Sequence, residues 1–253
     1  MNGRLRWGFA LALIGGSVIS STAKAGEFSN EARLVWSQGT VEILPKEMLR
    51  RVAHTENRAP STRAKWQRLR ASMRVRAGDS LRTGPSSRAE LSLGDGSVIR
   101  IGAETTLTVE RADFTAQGQR NVSMHVWLGR LWASVAKRLN GTSSFEVRTR
   151  NAVAGVRGTS FAVIAQADLS SIVKVYTGTV GVKKKGTSKL QTARVRTSGP
   201  EQIDQKQWEE VIATARRQVV VTQLGEIRPA EDFVDKGADQ AWANWNQERD
   251  RQR

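Results

Sequence analysis

The chain has 253 residues, with 40 Lys and Arg against 24 Asp and Glu, and no cysteine. Its 39% hydrophobic and 25% charged residues exclude a chain that is disordered throughout. The lack of cysteine excludes disulfides, iron–sulfur clusters and thiolate zinc sites, and the formal charge of +16 favours polyanions as contacts.

Residues 1–25 read as a secretory signal peptide. Arg4 and Arg6 precede an apolar run from Trp7 to Ile19, and Ala23-Lys24-Ala25 fits the small-x-small cleavage pattern. The run is shorter than the roughly 20 residues a spanning helix needs. Cleavage leaving Gly26 first is therefore expected, rather than retention as an anchor. Loss of Arg4, Arg6 and Lys24 lowers the charge from +16 to +13.

Residues 31–44 form an opening strand pair about the turn Gln38-Gly39, with Leu34, Trp36, Val41 and Ile43 at alternating positions. Residues 46–76 differ in composition, with ten Lys and Arg against Glu47 and Glu56. They read as a basic surface insertion, partly helical over 61–70. Arg63, Lys65, Arg68 and Arg70 are its candidate polyanion contacts. From residue 76 to 185 short alternating strands and turns follow one another. Ala89, Leu91 and Leu93 lead into the tight turn Gly94-Asp95-Gly96-Ser97. Val122, Met124, Val126 and Leu128 alternate with polar or aromatic neighbours, and Asn140-Gly141 signals a hairpin before Phe145 and Val147. Trp36, Trp127 and Trp132 are expected to pack the β core.

After residue 185 the pattern changes. Residues 202–217 carry a helical stripe of Ile203, Trp208, Val211 and Ile212, and residues 219–224 a short strand. Pro229 can open a last helix bearing Phe233, Trp242 and Trp245. Trp242 and Trp245, three apart, share a helix face. They either dock back on the domain or form a patch for a partner or glycan.

Five elements in order resemble the FecR family. These are Val75-Arg76-Ala77-Gly78-Asp79-Ser80-Leu81-Arg82-Thr83-Gly84, Ser87-Arg88-Ala89-Glu90-Leu91-Ser92-Leu93-Gly94-Asp95-Gly96-Ser97, and Leu128-Gly129-Arg130-Leu131-Trp132. The last two are Ala154-Gly155-Val156-Arg157-Gly158-Thr159-Ser160-Phe161-Ala162-Val163 and Val175-Tyr176-Thr177-Gly178-Thr179-Val180-Gly181-Val182. The resemblance implies an all-β sensor or binding domain outside the inner membrane. The best-known members add a cytoplasmic anti-sigma segment and one membrane span. With only a leader before it, this chain looks more like the stand-alone exported members. Gly78, Gly84, Asp95, Gly96, Gly158 and Gly178 in these elements read as structural turns.

Chemistry-bearing constellations are lacking. His54 and His125 are isolated, no nucleophile elbow or Walker loop occurs, and adjacent carboxylates such as Glu209-Glu210 diverge on a helix. The expectation is a mainly β domain, a sandwich or a solenoid-like stack, over residues 26–185. A helical extension follows over 186–253. The expected function is a non-enzymatic, cofactor-free scaffold of the cell envelope that binds a ligand or protein. The alternative is a binder of acidic polymer, such as wall glycan or anionic lipid. The leader argues against nucleic acid.

Overall fold

A computed structural model describes residues 31–49, 59–137, 143–156, 158–185 and 212–253. The strands fall into two layers. The first sheet runs, edge to edge, through β4 (Arg74–Arg76), β1 (Glu31–Gln38), β6 (Arg88–Leu93), β7 (Val98–Ile101), the second half of β9 (Arg120–Ser134), β12 (Ser160–Ala165), β13 (Ser171–Thr177), β16 (Arg217–Val221) and β17 (Glu231–Asp232). The second runs through β3 (Gln67–Arg68), β2 (Val41–Leu44), β5 (Ser80–Thr83), β8 (Thr106–Phe114), the first half of β9, β10 (Ser144–Arg148), β11 (Ala152–Val156), β14 (Thr179–Lys184) and β15 (Ile212–Thr214). Strand β9 belongs to both and joins them. Among the described residues all four edge strands are only two or three residues long, which limits edge-to-edge association.

Period-2 alternation explains the core. Leu34, Leu91, Ile99, Leu131, Phe161 and Val173 from the first sheet meet Ile43, Leu81, Leu107, Met124, Phe145 and Val180 from the second in one buried cluster. Each such side chain contributes about 1.5–3 kcal/mol through burial.

The chain passes repeatedly between layers, and a glycine stands at most crossings. Gly39 lies between β1 and β2, Gly78 between β4 and β5, Gly84 between β5 and β6, and Gly102 between β7 and β8. Gly129 lies inside β9, Gly158 between β11 and β12, and Gly178 between β13 and β14. At Gly158 φ is +66°, and a Cβ would approach Lys137 Cγ to 3.0 Å and its Cα to 3.1 Å. At Gly178 φ is +80°, and a Cβ would press on the Thr159 side chain and lie 3.0 Å from the Gly158 carbonyl oxygen. Gly78 and Gly96 also have positive φ. Gly84 acts through hydrogen bonds, donating to Thr40 O at 3.0 Å and accepting from Glu104 N at 3.2 Å. Asp95 caps its own turn, accepting from Ser97 N at 2.9 Å and Ser97 Oγ at 2.7 Å, and it pairs with the buried Arg120 at 2.6 Å.

Several expectations change. Strands β1 and β2 do not pair with each other, because Gly39 sends them to different sheets. Strand β10 lies parallel to the first half of β9, so no hairpin joins them. Asn140 and Gly141 themselves lie outside the described residues. The basic insertion is woven into both sheets. It carries α1 (Lys46–Leu49), and β3 pairs with β2 and β4 with β1, while Leu69 and Val75 enter the core. The described residues 61–70 hold turns and β3 instead of a helix. Of the helix expected over 202–217, residues 202–211 lie outside the described residues, and Ile212–Thr214 is a strand because it completes the second sheet beside β14. Glu231–Asp232 pairs with β16, which delays the last helix, α2, to Gly237–Arg251. The leader and Arg157 lie outside the described residues.

Helix α2 covers the outer face of the first sheet. Register places Trp36, Glu90, Arg100, Trp132, Ala162, Lys174 and Gln218 side by side across seven strands. Trp242 and Ala243 pack on Trp132 and Ala162. The fully buried Arg100 donates to Glu90 Oε2 at 2.7 Å and Asp250 Oδ1 at 2.6 Å, and Arg249 reaches the same Glu90 oxygen at 2.6 Å. Lys174 bridges Asp235 and Asp239 at 2.7 and 3.2 Å. Trp36 and Trp132 thus pack beneath a helix, outside the main core, with Trp36 5.4 Å from Trp245.

Gly158→Val should destabilise the protein by about 1–3 kcal/mol through left-handed strain and crowding of Lys137. Urea denaturation of the purified variant measures this, and a loss below about 0.5 kcal/mol, typical of neutral surface changes, would contradict it.

Candidate functional site

The outer face of the second sheet carries a polar and aromatic cluster built by two β-bulges. Between β8 and β9, Val109 pairs with Met124 and Arg111 with Ser123, which leaves Glu110 as an extra residue. Thr106 pairs with Leu128 and Leu107 with Val126, which leaves Trp127 extra. Bulges re-aim side chains and recur beside functional sites. Here they bring Glu110 and Trp127 to His125, which faces outward because Val122, Met124 and Val126 face the core.

The indole of Trp127 stacks on the imidazole of His125, with centroids 3.6 Å apart and planes 11° apart. Trp127 Nε1 donates to Thr108 Oγ1 at 2.9 Å, which fixes the ring's rotation. Beneath it His125 is only 1% exposed. Its Nδ1 lies 3.3 Å from Glu110 Oε1, and Ser123 Oγ donates to Glu110 Oε2 at 2.7 Å. On β10, Arg148 stands opposite His125 in register and donates Nε and Nη2 to Glu146 Oε2 at 3.1 and 2.8 Å. The Arg148 Nε is 3.7 Å from Glu110 Oε2. Nε2 of His125 is buried and has no hydrogen-bond partner among the described residues. An unsatisfied buried group costs about 1–3 kcal/mol, so packing alone does not account for a histidine here.

Burial by itself would raise the pKa of Glu110. Hydrogen bonds from His125 and Ser123, with the charges of His125 and Arg148, overcome this and hold its carboxyl down at about 2. Burial also depresses His125 below the ordinary imidazole range, against the opposing pull of Glu110, so the ring is neutral at neutral pH and its charge acts on Glu110 only under more acid conditions. A neutral imidazole with Nδ1 toward a carboxylate presents Nε2 as an acceptor. Among the described residues no group of three or more His, Cys, Asp or Glu gathers as a metal site.

The residues singled out from the sequence lie elsewhere. Arg63, Lys65, Arg68 and Arg70 are all exposed, in and on both sides of the β3 edge strand of the second sheet. Arg68 Nη2 donates to Gly39 O at 3.3 Å. Trp242 and Trp245 do not form an outward patch. Trp242 is 5% exposed, Trp245 is half-buried, and the two rings lie 5.2 Å apart under Arg88 and against the first sheet. Trp127, expected in the core, lies half-buried on the outer face. Sequence reading missed the cluster, although two breaks in alternation mark it. They are the polar doublet Glu110-Arg111 and the unbroken apolar run Val126-Trp127-Leu128.

Because its pKa is depressed in the folded state, Glu110 contributes stability above about 4.5, and that contribution is lost as pH falls toward about 2. Glu110→Gln should therefore be less stable than the parent at neutral pH, with the gap closing over that acid range. Denaturant titration of both proteins across the range is the check, and a gap independent of pH would contradict the assignment.

Residues 79–181 match the model of the family described as FecR protein. No curated protein matches the chain. Two crystal structures of a candidate anti-sigma factor from Parabacteroides distasonis are similar, each with a TM-score of 0.44 and 24% identity over 66% of this chain. The chain spans 64% of the length of those chains. Residues 79–181 supply strands to both sheets, including all of β8 and β9, and it is this stretch that carries the FecR match.

Proposed function

We propose that this protein is a non-enzymatic scaffold of the cell envelope that binds a ligand or protein partner through its FecR domain. The FecR match over residues 79–181 carries the reading. The arrangement of the two outer faces supports it. One is covered by the chain's own α2, and the other holds a pre-ordered cluster about Trp127. Export is supported by the leader and its Ala23-Lys24-Ala25 pattern. No helix among the described residues is long and apolar enough to cross a membrane. N-terminal sequencing of protein recovered from the envelope or medium should start at Gly26. Recovery only from the cytoplasm, still beginning at Met1, would overturn the reading.

A second reading is contact with acidic polymer, such as wall glycan or anionic lipid, through the basic segment. Its observation is the joint exposure of Arg63, Lys65, Arg68 and Arg70 near one sheet edge. Such contact should weaken steeply with salt, since exposed charges are screened beyond about 8–10 Å near physiological ionic strength. Replacing all four by glutamine should reduce co-sedimentation with acidic wall polymer or anionic vesicles at low salt and leave the circular dichroism spectrum unchanged. A folded quadruple variant that binds like the parent would show that the segment is only solvated.

A further inference from the structure

We infer that Trp127 is the stacking platform of a saccharide-binding site, and that the ligand is an uncharged or N-acetylated pyranose of a polysaccharide chain. The inference rests on the envelope-scaffold reading only for where such a ligand would be met. The site itself stands on its own geometry.

Recognition of a pyranose needs two features together. One is a flat aromatic surface for the apolar C–H face of the ring, and the other is a set of planar polar side chains for the hydroxyls around its rim. Both occur on the outer face of the second sheet. The Trp127 indole stacks on the outward-facing His125 with centroids 3.6 Å apart, and the residue as a whole is half-buried, so it keeps some surface open to solvent. The hydrogen bond to Thr108 and the stack on His125 hold the ring in a single pose. Binding then costs little side-chain entropy. Glu110 on β8 and Arg148 on β10 flank His125 on the two neighbouring strands. Strand spacing puts them about 5 Å to either side of β9. With Glu146 they offer a carboxylate, a guanidinium and a second carboxylate. Arg148 is already forked onto Glu146.

The charges decide the class of sugar. Glu110 and Glu146 face Arg148, and Lys185 stands near enough to influence His125. With Arg150 beside Lys185, three cations meet two carboxylates, so the cluster is close to balance and is no basic concentration. That separates it from the basic residues at the β3 edge. The two bulges and the buried, unpartnered His125 Nε2 are features that a sheet face serving only as a wall would not need.

The test is sedimentation of the purified protein with insoluble chitin, cellulose and cross-linked pectate. It is run at low salt and at about 0.5 M NaCl, where the screening length is only roughly 4 Å. The expected result is binding to chitin or cellulose that persists at high salt. Trp127→Ala should weaken it about tenfold or more, as loss of a central aromatic contact does, and Trp127→Phe should weaken it less. The glutamine quadruple variant at Arg63, Lys65, Arg68 and Arg70 should bind chitin or cellulose like the parent. Circular dichroism shows whether each variant is folded, and the Phe variant preserves the stack if the Ala variant does not fold. Failure to bind either uncharged polymer at high salt would overturn the inference. So would a folded Trp127→Ala variant that binds like the parent. Binding only to pectate, at low salt, and lost in the quadruple variant, would overturn it while favouring the acidic-polymer reading. None of these results bears on export, which the N-terminal sequence decides separately.

Discussion

The fold depends on the chain turning sharply between two layers without losing strand register. Each crossing has to redirect the chain within a few residues while the flanking strands stay paired in opposite sheets. Side chains with a Cβ resist the left-handed backbone that such corners need. Gly39, Gly78, Gly129, Gly158 and Gly178 supply that backbone at five crossings. At Gly178 the limit is also space, because the neighbouring Gly158 carbonyl lies 3.0 Å from where a Cβ would stand. The corners at Gly158 and Gly178 therefore touch each other. Together they set the pairing of β11 with β14 in one layer and of β12 with β13 in the other.

Once the two layers close on a common core, the outer faces differ in what they can do. The outer face of the first sheet is occupied. Its row from Trp36 through Arg100 to Lys174 combines aromatic and charged residues, and α2 answers with Trp242, Trp245, Arg249, Asp250 and Asp239. Burial of Arg100 would be costly if it were unpaired. Two carboxylates, one from the sheet and one from the helix, offset that cost and fix the position of α2 along the row. The outer face of the second sheet is different. It is polar and aromatic, its alternation is broken twice, and its tryptophan is held by a histidine and a threonine rather than by a covering helix. A face ordered before any ligand arrives is suited to binding, and both functional proposals fall on this sheet.

Much of this was legible in the sequence by itself. Alternation in Ala89-Glu90-Leu91-Ser92-Leu93 and in Val122 to Val126 fixes strands and tells their inner from their outer residues, since side chains on a strand alternate strictly. Gly94-Asp95-Gly96-Ser97 specifies its hairpin locally, and the five ordered elements carry the FecR resemblance. Local pattern could not say which strands pair. Asn140-Gly141 looks like a hairpin, yet β10 joins β9 in parallel, because pairing depends on where the chain goes after it changes layers. Nor could it place the tryptophans. Trp36, Trp127 and Trp132 have the composition of core residues, but the core was filled by aliphatic side chains and phenylalanines, and the three indoles went to outer faces. The last helix was readable as a helix. Its docking site was not, since Glu90, Arg100, Trp132 and Lys174 become neighbours only across strands distant in sequence. The sequence by itself determined most strands between residues 76 and 185, the corners and the FecR resemblance. The tertiary structure alone decided the sheet order, the clasp of α2 and the stacked Trp127–His125 pair, because each arises from contacts between segments that no local pattern couples.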